Sequence, residues 1–180
     1  MTRMLNRAVK EAEDIGISSS DELARIGQNS AEAAKNGRKF TEPTLPTGGK
    51  PKGSYEVPTG DPETIRSITR QNEAADLLAT NGYDVTVQKA MGDVTTPDYI
   101  IDGVAFDCYS PTTTRVRNIY DTIKGKIGKQ QANSFVLNLD DFPGSMDELV
   151  KQFYDWNFDI PGLEEILMVK NGKIARLIIN

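Results

Sequence analysis

With 180 residues, 38% of them hydrophobic and 26% charged, the chain has room for one ordinary globular domain plus an extension, and no apolar run nears the ~20 residues that span a bilayer. One cysteine and no histidine exclude an intramolecular disulfide, multi-cysteine zinc sites, Ser-His-Asp and Cys-His nucleophiles and histidine-pair ribonuclease chemistry, so catalysis would fall to carboxylates, lysine, tyrosine or hydroxyls, with a metal ion as the natural helper. The net charge of −5 argues against a surface that binds nucleic acid everywhere, yet leaves room for a local basic face.

Met1 to Asp14 is charged throughout and lacks the apolar centre of a secretory signal, so export is expected to depend on something this stretch does not carry. Residues up to about Asn36 read as helical. Ser19 and Glu22 have the spacing of a capping box, and Leu23, Ile26 and the alanines form a thin apolar stripe that Gly37 terminates. Residues 1–36 have too few large apolar side chains for a core of their own and are expected to form a helical connector. In residues 37–60, Pro43, Pro46, Pro51 and Pro58 alternate with Gly48, Gly49 and Gly53; this composition precludes helix and predicts an extended linker. The domain proper is then expected over residues 61–180.

Asp61-Pro62 opens a helix, with Ile65, Ile68, Ala75, Leu77 and Leu78 expected on its buried side and Asn81-Gly82 at its end. Tyr83 to Lys89 alternates as a strand. Asp98 to Ile101 and Val104 to Tyr109 form a hairpin about Asp102-Gly103. A polar helix from about Thr114 to Gln131 follows, then a strand from Ser134 to Leu139. A helix from Met146 to Trp156, capped by Ser145, precedes a last hairpin, Ile166 to Val169 and Ile174 to Ile179, around Asn171-Gly172. The order predicts an α/β fold, a mixed central β-sheet flanked by helices, with an N-terminal helical extension.

The central hairpin carries the chemistry. If Asp102 and Gly103 form the turn, Ile101 faces Val104 and Asp98 faces Asp107, with Cβ atoms ~5 Å apart. Two such carboxylates repel unless one is protonated or a hard divalent cation bridges them. The plainer alternative has one aspartate capping the strand and the other in solvent. Alternation puts Asp107 and Tyr109 on one face and Phe106 and Cys108 on the other, which reads Cys108 as a small core residue rather than a nucleophile. Spacing alone makes Glu73 an ordinary boundary residue of its helix. Arg115, Arg117, Lys124, Lys126 and Lys129 face a single acid, Asp121, in the following helix. Such a run is usually a solvated face, but beside a carboxylate pair it would contact phosphates, and all five are candidate nucleic-acid contacts.

Asp98, then Asp107 across a hairpin, with a lysine nearby, resembles the layout of PD-(D/E)XK nucleases, although Tyr109 stands where their lysine usually does. The stretch from Thr96 to Leu139, together with Asn72 to Val85, resembles the C-terminal nuclease domain of contact-dependent growth inhibition toxins and related polymorphic toxins. That resemblance implies a PD-(D/E)XK-like core and a metal-dependent endoribonuclease that cuts tRNA. It implies Glu73, Asp98 and Asp107 as the acidic, metal-binding set and Lys126 as the catalytic lysine; Thr122, one helical turn earlier, would add a hydroxyl to the same face. Mg²⁺ suits all-oxygen ligation, with Zn²⁺ or Mn²⁺ as alternatives. The resemblance further implies a cognate immunity protein as partner, a monomer apart from that complex, and delivery by a bacterial system to the target-cell cytoplasm. A DNA endonuclease on the same scaffold and a non-catalytic protein- or nucleic-acid-binding module are the competing readings.

Overall fold

The computed structural model describes residues 2–91, 96–129 and 132–179. Its elements run α1 (Thr2–Asp14), α2 (Ser20–Lys35), β1 (Lys52–Gly53), α3 (Pro62–Thr80), β2 (Val85–Val87), β3 (Tyr99–Ile101), β4 (Val104–Tyr109), α4 (Val116–Gly128), β5 (Ser134–Asn138), α5 (Met146–Asp155), a 3-10 turn (Asn157–Asp159), β6 (Glu165–Lys170) and β7 (Lys173–Ile178). The strands form one mixed sheet whose spatial order follows the chain from β1 to β7. β2-β3-β4 and β6-β7 are antiparallel, whereas β4-β5 and β5-β6 are parallel and therefore need the crossover helices α4 and α5. The mixed sheet flanked by helices is thus observed. Among the described residues no helix is long and apolar enough to cross a membrane.

Both hairpins turn as their sequences require: Asp102 and Gly103 have φ of 51° and 78°, Asn171 and Gly172 of 50° and 74°, the paired left-handed residues of a tight two-residue turn. The turn fixes the register, Ile101 with Val104 and Tyr99 with Phe106, so the next residues out are Asp98 and Asp107. Two cores follow from the alternation. Phe106, Tyr99, Ile101, Val85 and Val136 pack under Ala74, Ala75 and Leu78 of α3. On the other face Phe135, Leu137, Ile166, Met168 and Leu177 meet Ile119 and Ile123 of α4, Leu149 and Phe153 of α5, and Ala12, Ile17 and Ile26 from the N-terminal segment.

Several local expectations are corrected. The N-terminal helix is two helices, broken at Gly16, whose φ is +102°. Ser19 stands at the N-cap of α2, but its hydroxyl makes no capping bond. The carboxylate of Asp147 instead accepts from the backbone N–H groups of Ser18 and Ser19, both at 2.9 Å, so a distant aspartate does the capping. α1 and α2 lack a separate core because they share that of the sheet. Residues 37–60 are extended, as their prolines demand, but they are strapped to the domain. Thr44 and Leu45 donate to the Gly82 carbonyl, Gly48 donates to Thr80, and Lys52–Gly53 adds a parallel edge strand to β2. On α3, Asp61 caps as expected, accepting from Thr64 at 2.8 Å. Ile65 lies 40% exposed, and the buried face starts only at Gln71. β2 ends at Val87 rather than Lys89, and α4 starts at Val116 and ends at Gly128; the residues expected to finish that helix, 130–131, lie outside those described.

Candidate active site

Asp98 and Asp107 meet as the hairpin register dictates. Asp98 accepts a hydrogen bond from the Cys108 N–H at 2.8 Å, which holds its carboxyl against β4. Asp107 is buried, with 3% of its surface exposed, and the Nζ of Lys126 reaches it from α4 at 2.5 Å. Burial, then a hydrogen bond to Asp107 and the repulsion of its charge, push the Asp98 carboxyl up to about 8, although the Cys108 N–H and Lys126 pull the other way. One lysine therefore serves two facing carboxyls, and one of them keeps its proton in neutral solution. The retained proton and Lys126 balance the charge of the pair, and a cation bound there would take the place of that proton. The donor set is all oxygen, and Mg²⁺ is commonly held by one or two carboxylates while retaining several waters. Asp98 and Asp107 fit such an ion; the third residue that the resemblance implied does not join them.

Glu73 sits on α3 with its side chain 49% exposed and bonded to Arg70 at 2.7 Å. Arg70 is itself held by both oxygens of Asp141, at 2.8 and 2.9 Å, and Arg66 bridges Asp141, Glu63 and the Ser110 carbonyl. The acid α3 was expected to give the site is thus engaged in a surface ion network. Among the described residues, no three acidic, cysteine or histidine side chains gather closely enough to hold a metal. Asp141 was not anticipated. Its pairing with Arg70 spans 71 positions, and no local pattern encodes it.

The basic helix divides into two rows. Arg115, Asn118, Thr122, Lys126 and Lys129 recur at three- and four-residue steps and so share the side that reaches Asp107. Thr122 donates its hydroxyl to the Asn118 carbonyl at 2.9 Å, which leaves its oxygen lone pairs as the free feature on that row. Among the described residues, Arg115 and Lys129 are exposed and make no ion pair. Arg117 and Lys124 lie on the opposite rim of the helix. Arg117 bonds Asp121 at 3.0 Å and stacks over Tyr120 and Trp156, and Lys124 bonds Asp159 at 2.6 Å. The five cations expected to act together are therefore one site lysine, two unpaired neighbours and two neutralised residues facing away.

Tyr109, in the place of the customary lysine, packs against the α4–α5 core. Cys108 packs on the α3 side, where burial pushes its thiol up to about 12, and is chemically inert at neutral pH.

The chain is similar to known proteins. Residues 95–174, which hold both aspartates and all of α4, match the family model described as the contact-dependent growth inhibition CdiA C-terminal domain. The chain is 36% identical over 159 residues to tRNA nuclease CdiA-2 of Burkholderia pseudomallei strain 1026b, covering 88% of this chain and 5% of that much longer protein. A solved structure, the CdiA-CT/CdiI toxin and immunity complex from Burkholderia pseudomallei, contains a chain that superposes with a TM-score of 0.63 at 36% identity, covering 72% of this chain and 99% of that one. A mixed α/β domain with an acid pair and a lysine on the adjoining crossover helix is the class that the coordinates define. The chain belongs to the CdiA C-terminal domain family of contact-dependent growth inhibition.

Proposed function

We propose that the chain is a metal-dependent endoribonuclease toxin that hydrolyses tRNA in a target bacterium's cytoplasm and is neutralised by a cognate immunity protein. The observation that carries this reading is the meeting of Asp98, Asp107 and Lys126 across a hairpin and a crossover helix. The substrate and the immunity partner are inferred from the relatives, whose names specify a tRNA nuclease and a toxin and immunity complex. Delivery into another cell is inferred from the family.

Asp98 and Asp107 would hold one divalent ion, Mg²⁺ by preference. Such an ion, when bound, polarises a phosphoryl oxygen and lowers the pKa of a coordinated water. Lys126 lies within reach of Asp107, so a phosphate at the pair meets an ammonium already in position to stabilise developing charge. Thr122 is one turn away on the same row and presents an acceptor to a hydroxyl or water. Arg115 and Lys129 extend the positive row for the flanking phosphates. A role for Glu73 requires its release from Arg70, after which it would orient the ion or water.

Purified protein incubated with total tRNA and with plasmid DNA, each in Mg²⁺ or EDTA, tests the reading. Mg²⁺-dependent tRNA fragments, absent from Asp107→Ala and reduced about 10²–10³-fold in rate by Lys126→Ala, are expected. Cleavage of plasmid alone transfers the activity to DNA, and intact substrates in every tube remove it.

A further inference from the structure

β2 brings one more side chain to the row of the two aspartates. Its last paired residue, Val87, faces Tyr99, and the next N–H along, that of Gln88, donates to the Asp98 carbonyl at 2.9 Å. Gln88 is therefore the neighbour of Asp98 on one side, as Asp107 is on the other, and the row across the sheet reads Gln88, Asp98, Asp107, Phe135. Val85 and Val87 enter the core beneath α3 together with Tyr99 and Phe106. Alternation thus places Gln88 on the opposite face, the one that carries both carboxyls. Directly facing residues have Cβ atoms ~5 Å apart, well within the reach of a glutamine side chain.

The fold itself makes no use of this amide. Gln88 is half-buried, yet among the described residues its side chain makes no hydrogen bond. The two flanks of the acid pair differ. From α4, Lys126 holds Asp107 at 2.5 Å, whereas the neighbour of Asp98 toward β2 is Gln88. A phosphate seated over the two carboxyls has two non-bridging oxygens, and the Lys126 ammonium serves one flank only. A charged donor on the second flank would compete with a bound cation for Asp98. A neutral amide does not, and it still offers two N–H groups to an anion. We propose that Gln88 is a further catalytic residue: its carboxamide donates to the phosphate oxygen on the β2 side, opposite Lys126, as charge develops there. The inference rests on the nuclease reading above and adds a residue to it.

The place of the side chain is tested without RNA. Mn²⁺ is titrated into the full chain, wild type and Gln88→Glu, and the free ion is followed by its EPR signal. A third carboxylate in the row is expected to tighten Mn²⁺ binding at least about tenfold. Lys89→Gln makes the same charge change one residue on, at an exposed side chain that alternates to the other face, and is expected to alter the affinity less than about threefold. The role is tested by steady-state cleavage of tRNA. Gln88→Ala is expected to lower kcat about 10²–10³-fold with KM changed less than about threefold, the mark of a contact made in the transition state. Melting curves establish that each variant is folded. Equal Mn²⁺ affinities in wild type and Gln88→Glu, or equal tightening by Lys89→Gln, overturn the proposal, as does a folded Gln88→Ala protein with wild-type kcat. Intact tRNA with the wild-type protein is the separate failure of the nuclease reading, and the Mn²⁺ comparison is independent of it.

Discussion

Asp98 keeps its proton to about pH 8 in the folded chain, whereas an unfolded aspartate releases it near pH 4. Between these values the folded state binds more protons than the unfolded one, so this residue's contribution to stability falls as the pH rises, and the metal-free protein bears the full penalty above about pH 8. Asp98→Asn removes the titrating group. Its melting temperature should gain on the wild type at pH 8 but not at pH 4, and an equal gain at both would refute the assignment. Backbone geometry gives a second prediction at this scale. Gly82 has φ of +91°, and a Cβ there would lie 2.5 Å from the Leu45 carbonyl, so Gly82→Ala should cost about 1–3 kcal/mol in denaturant unfolding. The facing aspartates were legible because a two-residue turn admits one register. The capping of α2 was not: Ser19 and Glu22 have the right spacing, but Asp147, 128 residues from Ser19, supplies the acceptor.

For the elements, α4 separates what its composition merged. Charge-removing substitutions at Arg115 and Lys129 should raise the KM for RNA and flatten its salt dependence, each contact removing about one unit of slope. Arg117→Ala and Lys124→Ala should leave both nearly unchanged, because each of these cations already has an acid partner. Steady-state cleavage at several salt concentrations distinguishes the rows, and equal effects from all four would return the helix to a uniform basic face. Helical periodicity could sort these residues, but only the coordinates show which row reaches the carboxyls. β1 was illegible for a different reason. Two residues in a segment rich in proline and glycine offer no side-chain alternation, and their pairing with β2 depends on backbone groups alone. At Gly53, with φ of +82°, a Cβ would lie 2.2 Å from the Val87 carbonyl, so only glycine permits so close an approach.

At the scale of the molecule, one buried arginine ties the N-terminal half to the sheet. Arg176 of β7 is 2% exposed. It donates to the Thr41 carbonyl at 2.8 Å and the Tyr83 hydroxyl at 3.0 Å, with Glu11 and Glu42 at 3.5 and 3.4 Å. Glu165, also buried and pushed up by desolvation, lies 3.9 Å from it. Glu11 and Glu42 keep Arg7 at 2.9 and 2.6 Å, but removing the guanidinium strands the buried Glu165, so Arg176→Ala should cost about 3–5 kcal/mol, roughly 10 °C in melting temperature. A loss below about 1 kcal/mol would show that the segment is held by its other contacts and not by this arginine. The sequence conveyed the extended backbone of residues 37–60 through their prolines. It did not convey their attachment, because the anchoring arginine lies more than a hundred residues downstream.

The strand order has a consequence for how such a chain assembles. Each strand lies beside its neighbours in sequence, so the sheet can be laid down from β2 onward with short closures, the regime in which folding is fast. The first two helices are the exception: α1 and α2 lean on β7 and share its core. They can reach their final seat only when the last strand exists. Synthesised from its amino end, or refolding after passage in an extended state, the molecule would complete its sheet first and fasten its own beginning to it at the end.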